Sequence, residues 1–288
     1  MTAESKVLLN NGKSIPMLAM GTWLIDNRQA AESVATALRL GYHHIDTAQA
    51  YGNEEGVADG IRRSGIAREQ IWITSKVAAE HKSYASALAS INETLAKMKL
   101  DYIDMMIIHS PQPWAEVNQS DNRYLEENRK VWRALEDAAA SGKVGTIGVS
   151  NFLQADLENI LLDCRIRPAV NQILAHISNT PTELIDYCKR EKIAVEAYSP
   201  VAHGEALKNP IITKTAEKYG VSAARLCIRY CMQLGMIALP KATSEAHLAE
   251  NMQVNFEISE DDMQTLLHCE HIRDYGTASF FPVYGGKL

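Results

Sequence analysis

Four side chains in this sequence can move or hold a proton and stand where a chain rarely leaves such groups idle: Asp46, Tyr51, Lys76 and His109. Asp46 ends the short run "HHID", and Tyr51 follows five residues later within "GYHHIDTAQAYGNEE", residues 41–55. Lys76 lies in "IWITSKV" and His109 closes "IDMMIIH". A buried acid costs several kcal/mol unless something compensates it. Free tyrosine has a pKa of ~10 and free lysine ~10.4, so at neutral pH the phenol is a poor acid and the amine a cation. A unit charge about 4 Å away, at an effective dielectric near ~20, contributes ~4 kcal/mol, or ~3 pKa units. Lys76 is therefore expected to draw Tyr51 toward neutrality as a proton donor, against desolvation of the phenolate, while Asp46 keeps Lys76 charged and oriented. Singly, each has a plain structural reading: a cap for Asp46, a surface lysine, a hydrogen-bonded core histidine. Jointly they describe a proton-transfer device.

Strands must carry such a set. Short apolar runs rich in β-branched residues recur at 17–21, 43–46, 71–77, 103–109, 144–150, 169–173, 193–199 and 236–241. Several are nearly continuous in apolar character, as strands buried on both faces are. Helical patterns lie between them: Leu88, Ile91, Leu95 and Met98 recur at spacings of three and four, with Glu93 and Lys97 off that stripe. Thr180, Pro181 and Glu183 predict an N-cap, a first-turn proline and a capping-box acid before "LIDYCKR". Ser259 with Asp262 predicts a last helix over 263–269.

Eight strand-like runs, each followed by a helical segment, predict an α/β fold with a parallel sheet and crossover helices. At 288 residues a closed (β/α)8 TIM barrel fits more economically than two doubly wound domains. A single domain over 1–288 is expected, with a small N-terminal β-hairpin at 5–16 turning at Asn11-Gly12. The connections near 111–123 and 200–212 are unusually long, and the tail 271–288 lacks periodicity. Long loops on a barrel tend to be functional.

Chemistry on a barrel sits where the strands finish. The strand ends here give Gly21-Thr22-Trp23, Asp46 with Tyr51, Lys76, His109, Ser150-Asn151, Gln172, Tyr198-Ser199 and Lys241. Composition narrows what this ring serves. The chain is 46% hydrophobic and 22% charged, as globular proteins are. Its apolar runs fall far short of the ~20 residues of a membrane span, and residues 1–16 lack a signal-peptide core. A cytoplasmic protein without membrane contact is expected. Five cysteines without CxxC spacing argue against a disulfide framework or zinc ribbon, and Cys227 and Cys231 read as buried small hydrophobes. A net charge of −6 gives no general attraction to nucleic acid. Any phosphate ligand must be held by local cations.

Over essentially its whole length the sequence resembles the aldo-keto reductases, a family of (β/α)8 barrels that use NAD(P)H. "GYHHIDTAQAYGNEEGV" resembles the family's first signature and "GKVGTIGVSNF", 142–152, the second. "NQILAH", "AYSP" and "LPKATSEAHLAEN" occupy the places of later motifs. The resemblance implies a catalytic tetrad of Asp46, Tyr51, Lys76 and His109. It also implies a tyrosine general acid and a histidine that orients the substrate carbonyl. The cofactor contacts it implies are Gly21, Thr22, Trp23, Asp46, Ser150, Asn151, Gln172, Tyr198, Ser199, Pro200, Lys241, Thr243, His247 and Asn251. Among these, Tyr198 would stack on the nicotinamide, and Ser150, Asn151 and Gln172 would bond its carboxamide. No GxGxxG follows the first strand, as expected if a barrel mouth binds the dinucleotide.

The sequence departs from the family pattern at the phosphate end. Lys241 is followed by Ala242 where Ser or Thr is usual, and His247 stands where Arg is usual. An arginine fork holds a 2′-phosphate bidentately and a histidine cannot imitate it. NADPH use with weakened discrimination against NADH is expected. Ser110 takes the place of a bulky tryptophan beside the catalytic histidine, and with Trp23, Tyr51, His109 and Trp114 is expected to line the substrate pocket. Trp23, Trp114, Phe280, Phe281 and Tyr284 suggest an apolar mouth suited to neutral aldehydes or ketones, up to sugar-like diketones. No metal is expected, and a monomer is. Two other classes are weighed: a cofactor-binding sensor on the same fold, and a metal-dependent barrel hydrolase using His43, His44, Asp46 and His109. Adjacent His43 and His44 point to opposite faces of a strand, which argues against the hydrolase.

Overall fold

A computed structural model describes residues 1–285; residues 286–288 of the tail lie outside the described residues. The chain opens with the expected hairpin, β1 (Lys6–Leu8) paired antiparallel with β2 (Ser14–Pro16), and Gly12 in its turn takes φ 81°. The strands that follow are β3 (Met20–Gly21), β4 (His44–Asp46), β5 (Trp72–Val77), β6 (Met105–Ile108), β7 (Ile147–Ser150), β8 (Val170–Leu174), β9 (Ala194–Tyr198) and β10 (Ile237–Leu239). Consecutive strands from β3 to β10 pair in parallel in one eight-stranded sheet. A bridge between Leu18 and Ala238, with Ala19 N–H donating to Ala238 O and Gly21 N–H to Pro240 O, joins the two edges. The fold is the (β/α)8 barrel.

Helices occupy the crossovers: α1 (Asn27–Leu40), α2 (Glu54–Ser64), α3 (Tyr84–Met98), α4 (Leu125–Ala140), α5 (Gln154–Leu161) and α6 (Thr182–Arg190). Two helices, α7 (Pro210–Lys218) and α8 (Ala223–Gln233), follow β9, where the sequence suggested one segment; α9 (Glu245–Asn251) and α10 (Glu260–Leu267) complete the chain. Ser259 caps α10 as expected, accepting from Asp262 N–H, but the helix begins at Glu260, three residues earlier than the apolar pattern suggests. The expected cap of α6 is corrected. Thr180 does not cap it: its hydroxyl donates to His176 O at 3.0 Å and lies 2.9 Å from the Tyr230 hydroxyl, so the N-cap position falls on Pro181 without a side-chain bond. Gly41, first residue of the opening motif, belongs to the end of α1, where φ 104° requires glycine.

The period of two along a strand sorts side chains between two cores. On β5 and β6, Ile73, Val77, Met106 and Ile108 face outward into the layer shared with the helices, whereas Trp72, Met105 and Ile107 face the barrel axis. Leu9 and Ile15 of the hairpin region pack onto that inner cluster and close the bottom of the barrel. The same alternation sends Lys76, two turns of the pleat beyond Trp72, inward at the top. All five cysteines are free thiols, with Cys227 and Cys231 fully buried.

Helices α1 and α2 meet closely at Gly56, where a Cβ would stand 2.1 Å from Asn27 O. That atom is backbone and cannot swing away. Gly56→Ala is expected to lower stability by roughly 1–3 kcal/mol, the usual cost of overpacking, read as a lowered Tm. An unchanged Tm would contradict the close approach.

Candidate active site

The top of the barrel encloses a cavity of about 320 Å3, and Asp46, Tyr51 and His109 all line it, with Lys76 directly beneath. Each arrives by its strand. Asp46 ends β4, Lys76 is the fifth residue of β5, and His109 follows β6; Tyr51 closes a 3-10 turn, Gln49–Tyr51, on the loop after β4. Lys76 Nζ lies 2.6 and 2.5 Å from the two Asp46 oxygens, donates to Thr47 O at 2.7 Å, and reaches Tyr51 OH at 3.3 Å. Lys76 is fully buried, so the acid and the base compensate one another's loss of solvent.

The electrostatics differ from the expectation in one respect. Burial first, and the Asp46 carboxylate second, hold the Tyr51 phenol well above its ordinary pKa. Lys76 does not bring it down, because Asp46 lies against the ammonium and offsets its field. Tyr51 therefore starts as a protonated phenol. Burial, opposed by Lys76 and Gln172, raises Asp46 from the ordinary carboxylate value. His109 is held well below its usual pKa by burial and then by Lys76, which keeps the ring neutral. Its Nδ1 is buried without a hydrogen-bond partner among the described residues, so the other ring nitrogen is the one a ligand in the cavity can meet. The rings of Tyr51 and His109 stand edge to face at 5.5 Å.

Asn53 and Glu54, read in the sequence only as part of a motif, hold this loop in place. Asn53 Nδ2 donates to Thr22 O and Ile25 O, each at 2.8 Å, and its Oδ1 accepts from the Thr47 hydroxyl at 2.8 Å. Glu54 Oε1 accepts from Ser75 at 2.7 Å and Thr94 at 3.0 Å. Tyr51 is thus carried on a segment tied to the loop after β3, to β5 and to α3.

Gly21, Thr22, Trp23, Ser150, Asn151, Gln172, Tyr198, Ser199, Pro200 and Lys241 also line the cavity. Ser150 donates to Gln172 O at 2.8 Å, Asn151 Nδ2 donates to His109 O at 3.0 Å, and Tyr198 OH donates to Asn151 Oδ1 at 2.8 Å. These bonds fix the side chains before any ligand arrives. A second cavity of about 360 Å3 contains His247, Asn251 and Ala242 and shares Val201 and Lys241 with the first. The two lie next to one another, with Lys241 in the wall of both.

Three expected site residues are placed elsewhere. Thr243 is exposed and lines neither cavity; its carbonyl accepts from Ser33 at 3.4 Å. Ser110 is buried behind the wall, its hydroxyl accepting from Gln112 N–H at 3.3 Å, while Trp114 packs edge-on against His109 at 4.9 Å and forms the wall itself. Phe280 is 71% exposed and does not line the cavity, its ring standing at the rim 6.4 Å from that of Trp23. Trp23, Trp114 and Phe281 do make the expected aromatic mouth, with ring separations of 5.2 and 4.7 Å to Phe281. His203 joins it unforeseen, 2.6 Å from the Tyr284 hydroxyl and 3.0 Å from Ser199 Oγ; burial and then Lys241 bring it down to about 4.

Of the pair weighed as metal ligands, His43 is exposed and bonds Gln70 O at 3.0 Å, whereas His44 is buried inside the barrel. Among the described residues no group of three or more His, Cys, Asp or Glu is placed to hold a metal ion. No helix among them is long and apolar enough to cross a membrane.

Comparison with known proteins agrees with this geometry. The model of the "Aldo/keto reductase family" matches residues 17–271. Glyoxal reductase of Bacillus subtilis is 40% identical over 265 residues, covering 91% of this chain and 92% of the relative. The crystal structure of an aldo/keto reductase from Brucella melitensis superposes with a TM-score of 0.84 at 37% identity, over 91% of this chain and 98% of that one. An aldo-keto reductase of Bombyx mori, solved in complex with NADP, gives a TM-score of 0.85 at 29% identity over 99% and 100% of the two chains.

Proposed function

The chain belongs to the aldo/keto reductase family and is an NAD(P)H-dependent oxidoreductase, and from that premise we propose that it reduces small neutral aldehydes and ketones to alcohols with NADPH and a proton from Tyr51. One observation carries the reading. A protonated, buried phenol, a neutral imidazole and a Lys76–Asp46 ion pair meet at one cavity, and a second cavity shares the wall residue Lys241 with it.

The two cavities together are the cleft we assign to a dinucleotide. Its central end offers the ring of Tyr198 and the amides of Asn151 and Gln172 for a nicotinamide, and its outer end offers Lys241, His247 and Asn251 for an adenosine phosphate. When bound, the reduced cofactor supplies hydride to the carbonyl carbon. The chain's own residues do the rest. His109 directs a ring N–H at the carbonyl oxygen, as a neutral donor that strengthens its bond when negative charge develops there. Tyr51 gives its phenolic proton to the same oxygen. The phenolate left behind is stabilised by Lys76 at 3.3 Å, and Asp46 holds that ammonium in place. Trp23, Trp114 and Phe281 exclude water and present apolar surface to the substrate, which favours neutral carbonyls over charged ones. The name of the Bacillus subtilis relative, glyoxal reductase, supports small aldehydes. Every side chain this scheme needs comes from one chain, so a monomer suffices.

Steady-state NADPH oxidation with a panel of neutral aldehydes and ketones tests the proposal; cofactor binding without oxidation by any of them would favour the sensor reading instead. Cofactor choice has its own test. Lys241 contributes a point charge, whereas His247 lacks the fork that would grip a 2′-phosphate. His247→Arg is expected to tighten NADPH about tenfold, the worth of one good charge-assisted contact, and to change NADH less than about twofold. Equal effects on the two cofactors, measured by fluorescence quenching, would remove His247 from the phosphate site.

A further inference from the structure

The barrel interior holds a second carboxyl that the reaction scheme leaves unused. Glu196, on β9, is fully buried, and its Oε2 accepts a hydrogen bond from Gln172 Nε2 at 2.8 Å. The same nitrogen donates to Asp46 Oδ1 at 3.1 Å. Both amide hydrogens of Gln172 are thus taken by carboxyl oxygens from two different strands. An amide turned the other way would set Oε1 against the Asp46 carboxylate, acceptor against acceptor. The orientation is fixed, and Oε1 is left as the Gln172 atom for a ligand, on a residue in the cavity wall. The contact follows from the backbone: Gln172 and Glu196 are register partners of parallel β8 and β9 and both face inward.

Packing alone does not explain an acid there, since a buried carboxyl is costly. Its Oε1 has no hydrogen-bond partner among the described residues, and His44 Nε2 lies 3.9 Å away. His44 is bonded instead to Thr74 Oγ1 at 3.0 Å, and burial brings it down to about 3. Burial first and Asp46 second raise Glu196 to about 8. Lys76 lies against Asp46, so negative charge is held there, and burial disfavours a second charge on Glu196. Glu196 therefore supplies an acceptor for Gln172 without adding a second negative charge under the site. The terminal torsion of glutamine is broad and roughly two-fold, so with only Asp46 to hold it the amide would sample other orientations.

We propose that Glu196 is a positioning residue for the nicotinamide end of the cofactor: with Asp46 it clamps the Gln172 amide so that Oε1 accepts a hydrogen bond from the carboxamide N–H. This rests on the cofactor reading above, and the test separates the two. Dissociation constants are measured by fluorescence quenching for NADPH and for adenosine 2′,5′-bisphosphate, which lacks the nicotinamide, with Tm as a check on folding. Glu196→Met, similar in length but without an acceptor, is expected to weaken NADPH about tenfold, the worth of one oriented hydrogen bond, and to leave the bisphosphate within about twofold. Glu196→Gln, whose amide oxygen can still accept, is expected to restore most of the NADPH affinity. In a Gln172→Ala background the Glu196→Met change is expected to have no further effect on NADPH. Equal weakening of both ligands, unchanged NADPH affinity, or an additive loss in the Gln172→Ala background would overturn the proposal. If Glu196→Met does not fold, Glu196→Gln carries the test with the same two ligands, and a tenfold loss of NADPH there would overturn it. A wild-type chain that binds the bisphosphate but not NADPH would remove the cofactor reading and this proposal together.

Discussion

Tyr51→Phe is expected to lower kcat for carbonyl reduction by about a thousandfold, within the range that general acids contribute, while NADPH affinity stays within about twofold. The variant removes one oxygen. Among the described residues that oxygen has a single hydrogen bond, the 3.3 Å contact with Lys76, so its loss costs the fold little, about 1 kcal/mol at most. The ring keeps its place edge-on to His109 and its cation–π contact with Lys76, whose Nζ lies 4.9 Å from the ring centroid. A large kinetic loss with small changes in Tm and cofactor binding therefore isolates the proton. Retained activity would mean that another group, His109 first, delivers it.

Lys76→Met is expected to abolish measurable turnover and also to destabilise the protein by about 3–5 kcal/mol, the cost of leaving one partner of a buried ion pair alone. Among the described residues Asp46 would keep only Gln172 as a side-chain donor. Deprived of the ammonium, its carboxyl would stay protonated in the folded state to a higher pH than in the unfolded chain. A group raised in this way adds stability below its unfolded pKa and loses it as pH rises through the folded one. The Tm deficit of Lys76→Met relative to wild type is thus expected to grow as pH rises above the ordinary carboxylate range. A second change, Asp46→Leu in the same chain, should recover much of the stability and none of the activity. A constant deficit across pH, or recovery of turnover, would contradict the assigned pair.

The periodic parts of this design were legible in the sequence because period two and strand ends obey local rules. Asp46, Lys76 and His109 could be read as inward-facing tips of β4, β5 and β6, and the hairpin from Asn11-Gly12, before any coordinates. Loop positions resisted, since their side chains are aimed by tertiary contacts. Ser110 turns to the Gln112 backbone and leaves the wall to Trp114; Thr180 finds His176 and Tyr230 in place of a helix end; His203 reaches the mouth through a loop with left-handed backbone at Ala202, His203 and Gly204. Glu196 carries its own signal in the sequence. An acid in the otherwise apolar run "AVEAY" must face either solvent or the barrel axis, and two residues before inward-facing Tyr198 it faces the axis. Lys76 does not depress the Tyr51 pKa for a related reason: the carboxylate that the same sequence places against the ammonium offsets its field.

The central claim is that hydride and proton meet at one carbonyl in this cavity, the proton coming from Tyr51. It is tested most directly by reducing a neutral aldehyde with NADPH deuterated at the transferable C4 position, using wild type and Tyr51→Phe side by side. The expected result is one NADPH oxidised per alcohol formed, with deuterium on the carbinol carbon, and loss of nearly all product in Tyr51→Phe although NADPH still binds. NADPH binding by wild type without labelled alcohol from any neutral carbonyl, or undiminished labelled product from Tyr51→Phe, would contradict it.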